Sequence, residues 1–408
     1  MGAEGSSAGG ERLHGLDALR SFALIGGVAL HATMSFFPGQ QVWIVKDVGE
    51  SAVLGLVFYV LHIFRMALFF LLAGYFGRLL LQRRGVVGFV KDRARRILAP
   101  LLIFWPIVFP LIVACLIWAV VQASGGKPLP REAPPASPFT VEAFPLTHLW
   151  FLYILVLLYA GWLALRAPVD LLDRGGGLRR LADRLVAPLT GWVGPVLLAV
   201  PVAAVMASDP KWLPWFGVRT PDTGLIPNLQ ALTTYGLAFA VGWMAHRAPQ
   251  TLERWRARWP ATLALAAATT AACLWLIGPE PRVTPFEAGE AALPYAGAYA
   301  VALWSWTFGL IGLGLAAFSR RSAVRRWIAD SSYWVYIAHL PLVMALQVWI
   351  APLAWPAWVK FPLVLTAALA LLFGSYQLLV RHSFVGALLN GRRRARQPAP
   401  TAVPAPSI

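Results

Sequence analysis

Acidic residues are scarce in this 408-residue chain: 18 Asp and Glu stand against 35 Lys and Arg, and the four types together make only 13% of it. Ordinary soluble domains carry about twice that share of charge. Cysteine is scarcer still. Cys115 and Cys273 both fall in apolar runs, which excludes a disulfide scaffold and reads as packing. No CxxC pair, zinc-ligand spacing, Walker loop or strand followed by GxGxxG occurs, so neither a metal centre nor soluble nucleotide-binding machinery is expected. No soluble domain of any size and no clear internal repeat breaks the pattern.

What is abundant is apolar residues, 58% of the chain. They fall in runs near 16–37, 53–77, 98–121, 148–166, 186–206, 229–246, 260–278, 295–317, 331–351 and 359–380. Runs of this length match the thickness of a bilayer, so the expected fold is all-α and polytopic, with about ten transmembrane helices. The first run is too long for a cleavable signal and is expected to remain as a span. The net charge of +17 could point to nucleic acid. The basic residues come instead as short clusters between apolar runs, a pattern of membrane orientation and contact with anionic lipid. Of the 35 Lys and Arg, 25 lie in the even-numbered loops and the C-terminal tail, and seven in the odd-numbered loops. Both termini are therefore expected on the cytoplasmic side. Residues 1–12 and 386–408 are expected to be disordered tails around a membrane domain at 13–385, the second of them basic and then Pro/Ala-rich.

Ionisable residues inside spans are costly and are usually kept for function. Arg20 and His31 lie on the first run, eleven positions apart. That is about three helical turns, so they share a face, separated by a rise of roughly 16 Å. His31 can serve as a general base or make a helix-helix hydrogen bond. Arg20 can pair with Asp17 or grip an anion from the cytoplasm. The first cytoplasmic loop carries Arg78, Arg83, Arg84, Lys91, Arg93, Arg95 and Arg96. Arg93 and Arg96, one turn apart, can hold phosphate oxygens or simply set topology. His62 and Arg65 on the second span, His148 and Trp150 at the start of the fourth, and Tyr336 and His339 on the ninth are candidates for a polar cavity or acceptor site. Outside, Trp212, Trp215 and Phe216 offer either a sugar-stacking platform or an interfacial aromatic belt.

These residues give the chain a resemblance to the acyltransferase-3 family of integral membrane O-acyltransferases, across about residues 12–385. That family's first-span signature is a basic residue, ten positions and a histidine, matched by Arg20 and His31. Its Arg-x-x-Arg signature is matched by Arg93 and Arg96. The strings at 69–76, 148–152 and 332–339 look like the branch containing glucan biosynthesis protein C, whose members succinylate periplasmic glucans. The resemblance implies transfer of an acyl group, acetyl or succinyl, from cytoplasmic acyl-CoA to a hydroxyl of a glycan or glycoside outside the cytoplasm. It implies CoA phosphates at Arg20, Arg93 and Arg96 and a thioester near His31, acting as base or nucleophile. Acyl-CoA is then a co-substrate and no metal is called for. A secondary transporter is the rival reading, since it too places ionisable residues at mid-membrane.

Overall fold

The computed structural model describes residues 2–125, 139–173, 175–287, 290–318, 320 and 322–390, with side chains from His14 on, save Asp170. Most of the Pro-rich outer segment and the Pro/Ala-rich tail lie outside them. Among the described residues twelve α-helices follow one another: α1 Gly2–Thr33, α2 Ala52–Arg93, α3 Ala99–Ala123, α4 Trp150–Leu172, α5 Gly177–Leu189, α6 Gly194–Ala207, α7 Leu229–Ala245, α8 Gln250–Ile277, α9 Ala292–Ala317, α10 Ala323–Ile350, α11 Ala357–Ser375 and α12 Phe384–Asn390. Among the described residues there is no strand, only an isolated bridge between Pro145 and Thr223. The all-α expectation holds, and α1 extends back to Gly2, through the tract 1–12 expected to be disordered.

Among the described residues, seven helical stretches are long and apolar enough to cross a membrane, or up to eight if a bent pair counts as one span. The ten runs read from the sequence exceed this for physical reasons. Ala52–Ala123 is a single stretch of 72 residues that contains two of the runs. It does not run straight. Tyr159 Oη donates to Ala73 O at 2.9 Å and accepts from Arg93 Nη1 at 3.4 Å. Residues so far apart along an unbroken helix would be about 30 Å distant, so the chain turns back between them. Gly85, at φ 65° and ψ −178°, supplies the break, in a region of backbone space that is essentially glycine's alone. The run at 186–206 is divided between α5 and α6, which meet at 96°, and α7 has only 17 residues.

The helices form one bundle with a graded interior. Of the apolar window of α9, 67% is buried, against 17% for α8, so α9 is central and α8 presents a lipid-type surface. α8 and α6 pack on α9, α7 on α2, and α10 on α1. The α2–α7 crossing is set by two glycines: a Cβ on Gly74 would stand 2.0 Å from Phe239 O, and one on Gly242 would stand 1.8 Å from Leu71 O. Small residues of this kind let backbones touch where hydrophobic segregation gives no help. Between α6 and α7, Trp212 and Trp215 are both buried, so these two rings are packed inside the protein rather than exposed as either a sugar platform or an interfacial belt. Trp212 donates its indole N–H to Gly217 O at 2.7 Å, and Trp215 lies parallel to Phe58 with centroids 5.6 Å apart.

Candidate functional site

The periodicity that puts Arg20 and His31 on one face of α1 turns that face toward α2 and α10. Between these helices and α4 lies a cavity of about 330 Å³. One group of lining residues is basic: Arg20, Arg83, Arg93 and Arg96. Another group comprises Arg65, Tyr336 and His339. The basic group is held by aromatic faces. The Arg93 guanidinium carbon lies 5.2 Å from the Tyr159 ring centroid, that of Arg96 5.9 Å from Tyr333, and that of Arg20 5.6 Å from Phe76. Stacking of this sort orients guanidinium planes while leaving N–H groups free to donate. A single π-helical turn at Ala94–Leu98 carries Arg96 and follows directly on Arg93. Such turns re-aim side chains relative to a regular helix, and both arginines reach the cavity. Their Nε atoms are buried and have no hydrogen-bond partner. Asp17 lies 3.6 Å from Arg20, and Asp92 lies 3.1 Å from Arg93, so two of the four arginines are partly compensated by carboxylates.

Arg65 is different. Its guanidinium fits against α1 only because residue 27 is glycine: a Cβ there would stand 2.6 Å from Nη1. Its Nε is buried and unpartnered. Among the described residues no carboxylate pairs with it, and the cavity it faces is also lined by Tyr336 and His339. Gly27 precedes His31 by one turn, so Arg65 sits about 6 Å along the helix axis from the level of His31.

His31 lies just behind the cavity wall. Its ring is 5.2 Å from that of His339, which lines the cavity, and it stacks at 5.9 Å on Trp43 from the loop between α1 and α2. Gln347 ties this region together. Its amide nitrogen donates to His31 O at 3.0 Å, Ala32 O at 3.2 Å and Ser35 Oγ at 3.1 Å, and its oxygen accepts the Trp43 indole N–H at 2.8 Å. His31 Nδ1 is buried without a partner. His148 packs against His339 with centroids 5.1 Å apart, and Tyr336 donates its hydroxyl to His148 O.

Of the residues singled out in the sequence, Arg20, Arg65, Arg93, Arg96, Tyr336 and His339 line one cavity, with His31 and His148 in contact through His339. Two stand apart from it. His62 stacks on Phe58 at 5.1 Å, and Trp150 is buried between Tyr235 and Phe70, at 5.4 and 6.1 Å. Neither lines the cavity. Sequence reasoning missed Trp43 and Gln347. The signal for Gln347 was a lone amide two turns beyond His339 in an apolar run; Trp43 lies in a loop with no periodicity to read. Among the described residues, no group of three His, Cys, Asp or Glu could hold a metal ion.

Comparison with known proteins adds a lineage. Residues 13–377 match the acyltransferase domain family known as acyltransferase 3. Glucans biosynthesis protein C of Salmonella schwarzengrund (strain CVM19633) is 28% identical over 154 residues, 38% of this chain and 38% of that protein. The protein of the same name from Escherichia coli O6:K15:H31 is 27% identical over 148 residues, 36% of this chain and 37% of its own. The matched part thus spans less than two fifths of either relative. No solved structure matches.

Proposed function

Because the chain belongs to the acyltransferase-3 family, we propose that it is an integral membrane O-acyltransferase whose cavity takes acyl-CoA from the cytoplasm and passes the acyl group to a glycan hydroxyl on the opposite face of a bacterial inner membrane. One observation carries this reading: a single cavity joins four arginines to His339 and Arg65, with His31 one ring further on. Arg20, Arg83, Arg93 and Arg96 would hold the CoA phosphates, a task for which forked donors are suited. The roughly 16 Å between Arg20 and His31 is a span for the pantetheine arm. His31 would take the acceptor hydroxyl's proton as the oxygen attacks the thioester carbonyl. The C–O bond forms, the C–S bond breaks, and the proton ends on the CoA sulfur.

The state of Arg65 supports a finer reading of the donor. A guanidinium buried in a span without a carboxylate is expensive, and an acyl group ending in a second carboxylate would complete it. Succinyl is a group of that kind, with its far carboxylate a short chain away from the thioester. The printed name of the relatives supports a glucan as acceptor.

The test uses purified protein in liposomes, with glucan trapped inside and acyl-labelled CoA supplied outside. Label should appear on the trapped glucan at a rate that depends on the protein. Free labelled acid with no glycan ester, or no loss of label from CoA, would contradict the proposal.

A further inference from the structure

His339, rather than His31, lines the donor cavity, and its hydrogen bonding fixes what it can do there. Its Nδ1 lies 2.7 Å from Tyr336 O. A carbonyl only accepts, so Nδ1 carries the proton and Nε2 presents a lone pair. That Nε2 is buried and has no partner, on a residue only 5% exposed. His148 is fixed in the mirror sense: Nε2–H donates to Ile337 O at 3.1 Å, and Nδ1 is bare.

The acceptor for His148 is a consequence of sequence. Pro341 lies inside α10 and has no N–H to give to the carbonyl four residues before it, which is Ile337 O. His148 takes that vacant acceptor. Next to His148, Thr147 holds φ at +53°, a left-handed conformation that is strained for a β-branched residue. Its N–H donates to Asp222 O at 3.0 Å, which helps hold it there. Considerable structure is therefore devoted to setting one imidazole against the side of another.

We propose that His339 is a second catalytic imidazole, which receives the proton from His31 and delivers it from Nε2 to the departing thiolate, with His148 as its positioning residue. This rests on the acyl-transfer reading of the same cavity. In sequence, the acceptor O–H bond breaks and its proton moves to His31, while the oxygen bonds to the acyl carbon. The C–S pair leaves on sulfur. His31 gives its proton to His339 Nε2, and His339 gives it to sulfur. Both imidazoles end neutral, and no proton is gained or lost. While His339 is doubly protonated, its Nδ1–H remains on Tyr336 O.

The experiment compares wild type, His339→Gln and His31→Ala with acyl-CoA and with the same acyl group on an aryl thiol, a better leaving group that needs no proton. His339→Gln should lose about 100-fold in turnover of acyl-CoA, the size of a general-acid contribution, but only a few-fold with the aryl thioester, with CoA affinity unchanged. His31→Ala should be inactive with both. Equal losses for His339→Gln on the two donors, or none on acyl-CoA, would overturn the assignment. A series of acyl thioesters of graded leaving ability on the wild type needs no variant to fold: a shallow dependence is expected, and a steep one overturns it. If the wild type releases thiol from no donor, the acyl-transfer reading falls and this inference with it. If the wild type turns over and His339→Gln equals it, only the inference falls.

Discussion

Two cations lie within the helical bundle in opposite surroundings. Lys360, at the start of α11, is fully buried, and its Nζ donates to both Asp47 carboxylate oxygens at 2.9 Å and to Ala351 O at 3.1 Å. Asp47 in turn accepts from Gly49 N at 2.8 Å, and its own N–H donates to Ser35 O at 2.8 Å. Every partner comes from the protein, and the result pins the loop that bears Trp43 beside His31. Among the described residues Arg65 pairs with no carboxylate, and it faces a cavity. A charge with a structural task is closed off by protein groups, because breaking such a pair is costly. Arg65, left open toward the cavity, is the charge that the proposed succinyl carboxylate would complete.

The contrast breaks most severely at Lys360. Lys360→Met would leave Asp47 buried and unpaired, at a cost of about 3–5 kcal/mol, read as a large fall in Tm in detergent. Adding Asp47→Asn should recover most of it, and an unchanged Tm in the single variant would show that the pair is not closed. Arg65→Met should do the reverse, leaving Tm level or raised. It should cut kcat/KM for succinyl-CoA at least about 30-fold relative to acetyl-CoA, as expected when one partner of a buried charge pair is removed. Equal effects on both donors would separate Arg65 from the acyl carboxylate. Arg93→Ala or Arg96→Ala should each weaken CoA binding about 10-fold, in line with the worth of a charged hydrogen bond. Turnover at saturation should change little, and unchanged affinity in both would return these arginines to a topological role.

The smallest effect belongs to a pair in the loop between α8 and α9. Arg282 donates to both carboxylate oxygens of Glu290, at 2.9 and 2.8 Å, and this hydrogen bonding holds the Glu290 carboxyl below its ordinary value. The contribution is therefore complete above the usual glutamate range and is lost as pH falls through the depressed value. Exposed pairs are worth little, so Glu290→Gln should barely move Tm at neutral pH and should flatten a slight acid dependence. A large shift at neutral pH would contradict the assignment of this pair to the surface.

What the sequence makes legible is whatever follows a helical period. Arg20 and His31 share a face because eleven residues make about three turns, and both reach the same region of the bundle. Arg93 and Arg96 were readable as a pair, though not the π-turn that aims them. Contacts remote in sequence were hidden. Lys360 counts as an ordinary outer-loop charge until Asp47, 313 positions away, is placed beside it. Trp212 and Trp215 look like surface aromatics because nothing local says that their loop folds inward. The span count exceeded the qualifying helices because hydropathy cannot tell a run of residues from a helix that breaks at Gly85 or bends between α5 and α6.

The central claim is that this cavity binds acyl-CoA and that His31 acts on its thioester. Thiol release from a panel of acyl-CoAs, by purified wild type beside His31→Ala with an acceptor glycan present, tests it most directly. The account predicts acyl-selective release by the wild type and a loss of at least about 1000-fold in His31→Ala, with CoA binding retained. Equal release by the two proteins, or no release by folded wild type with any donor, would contradict it.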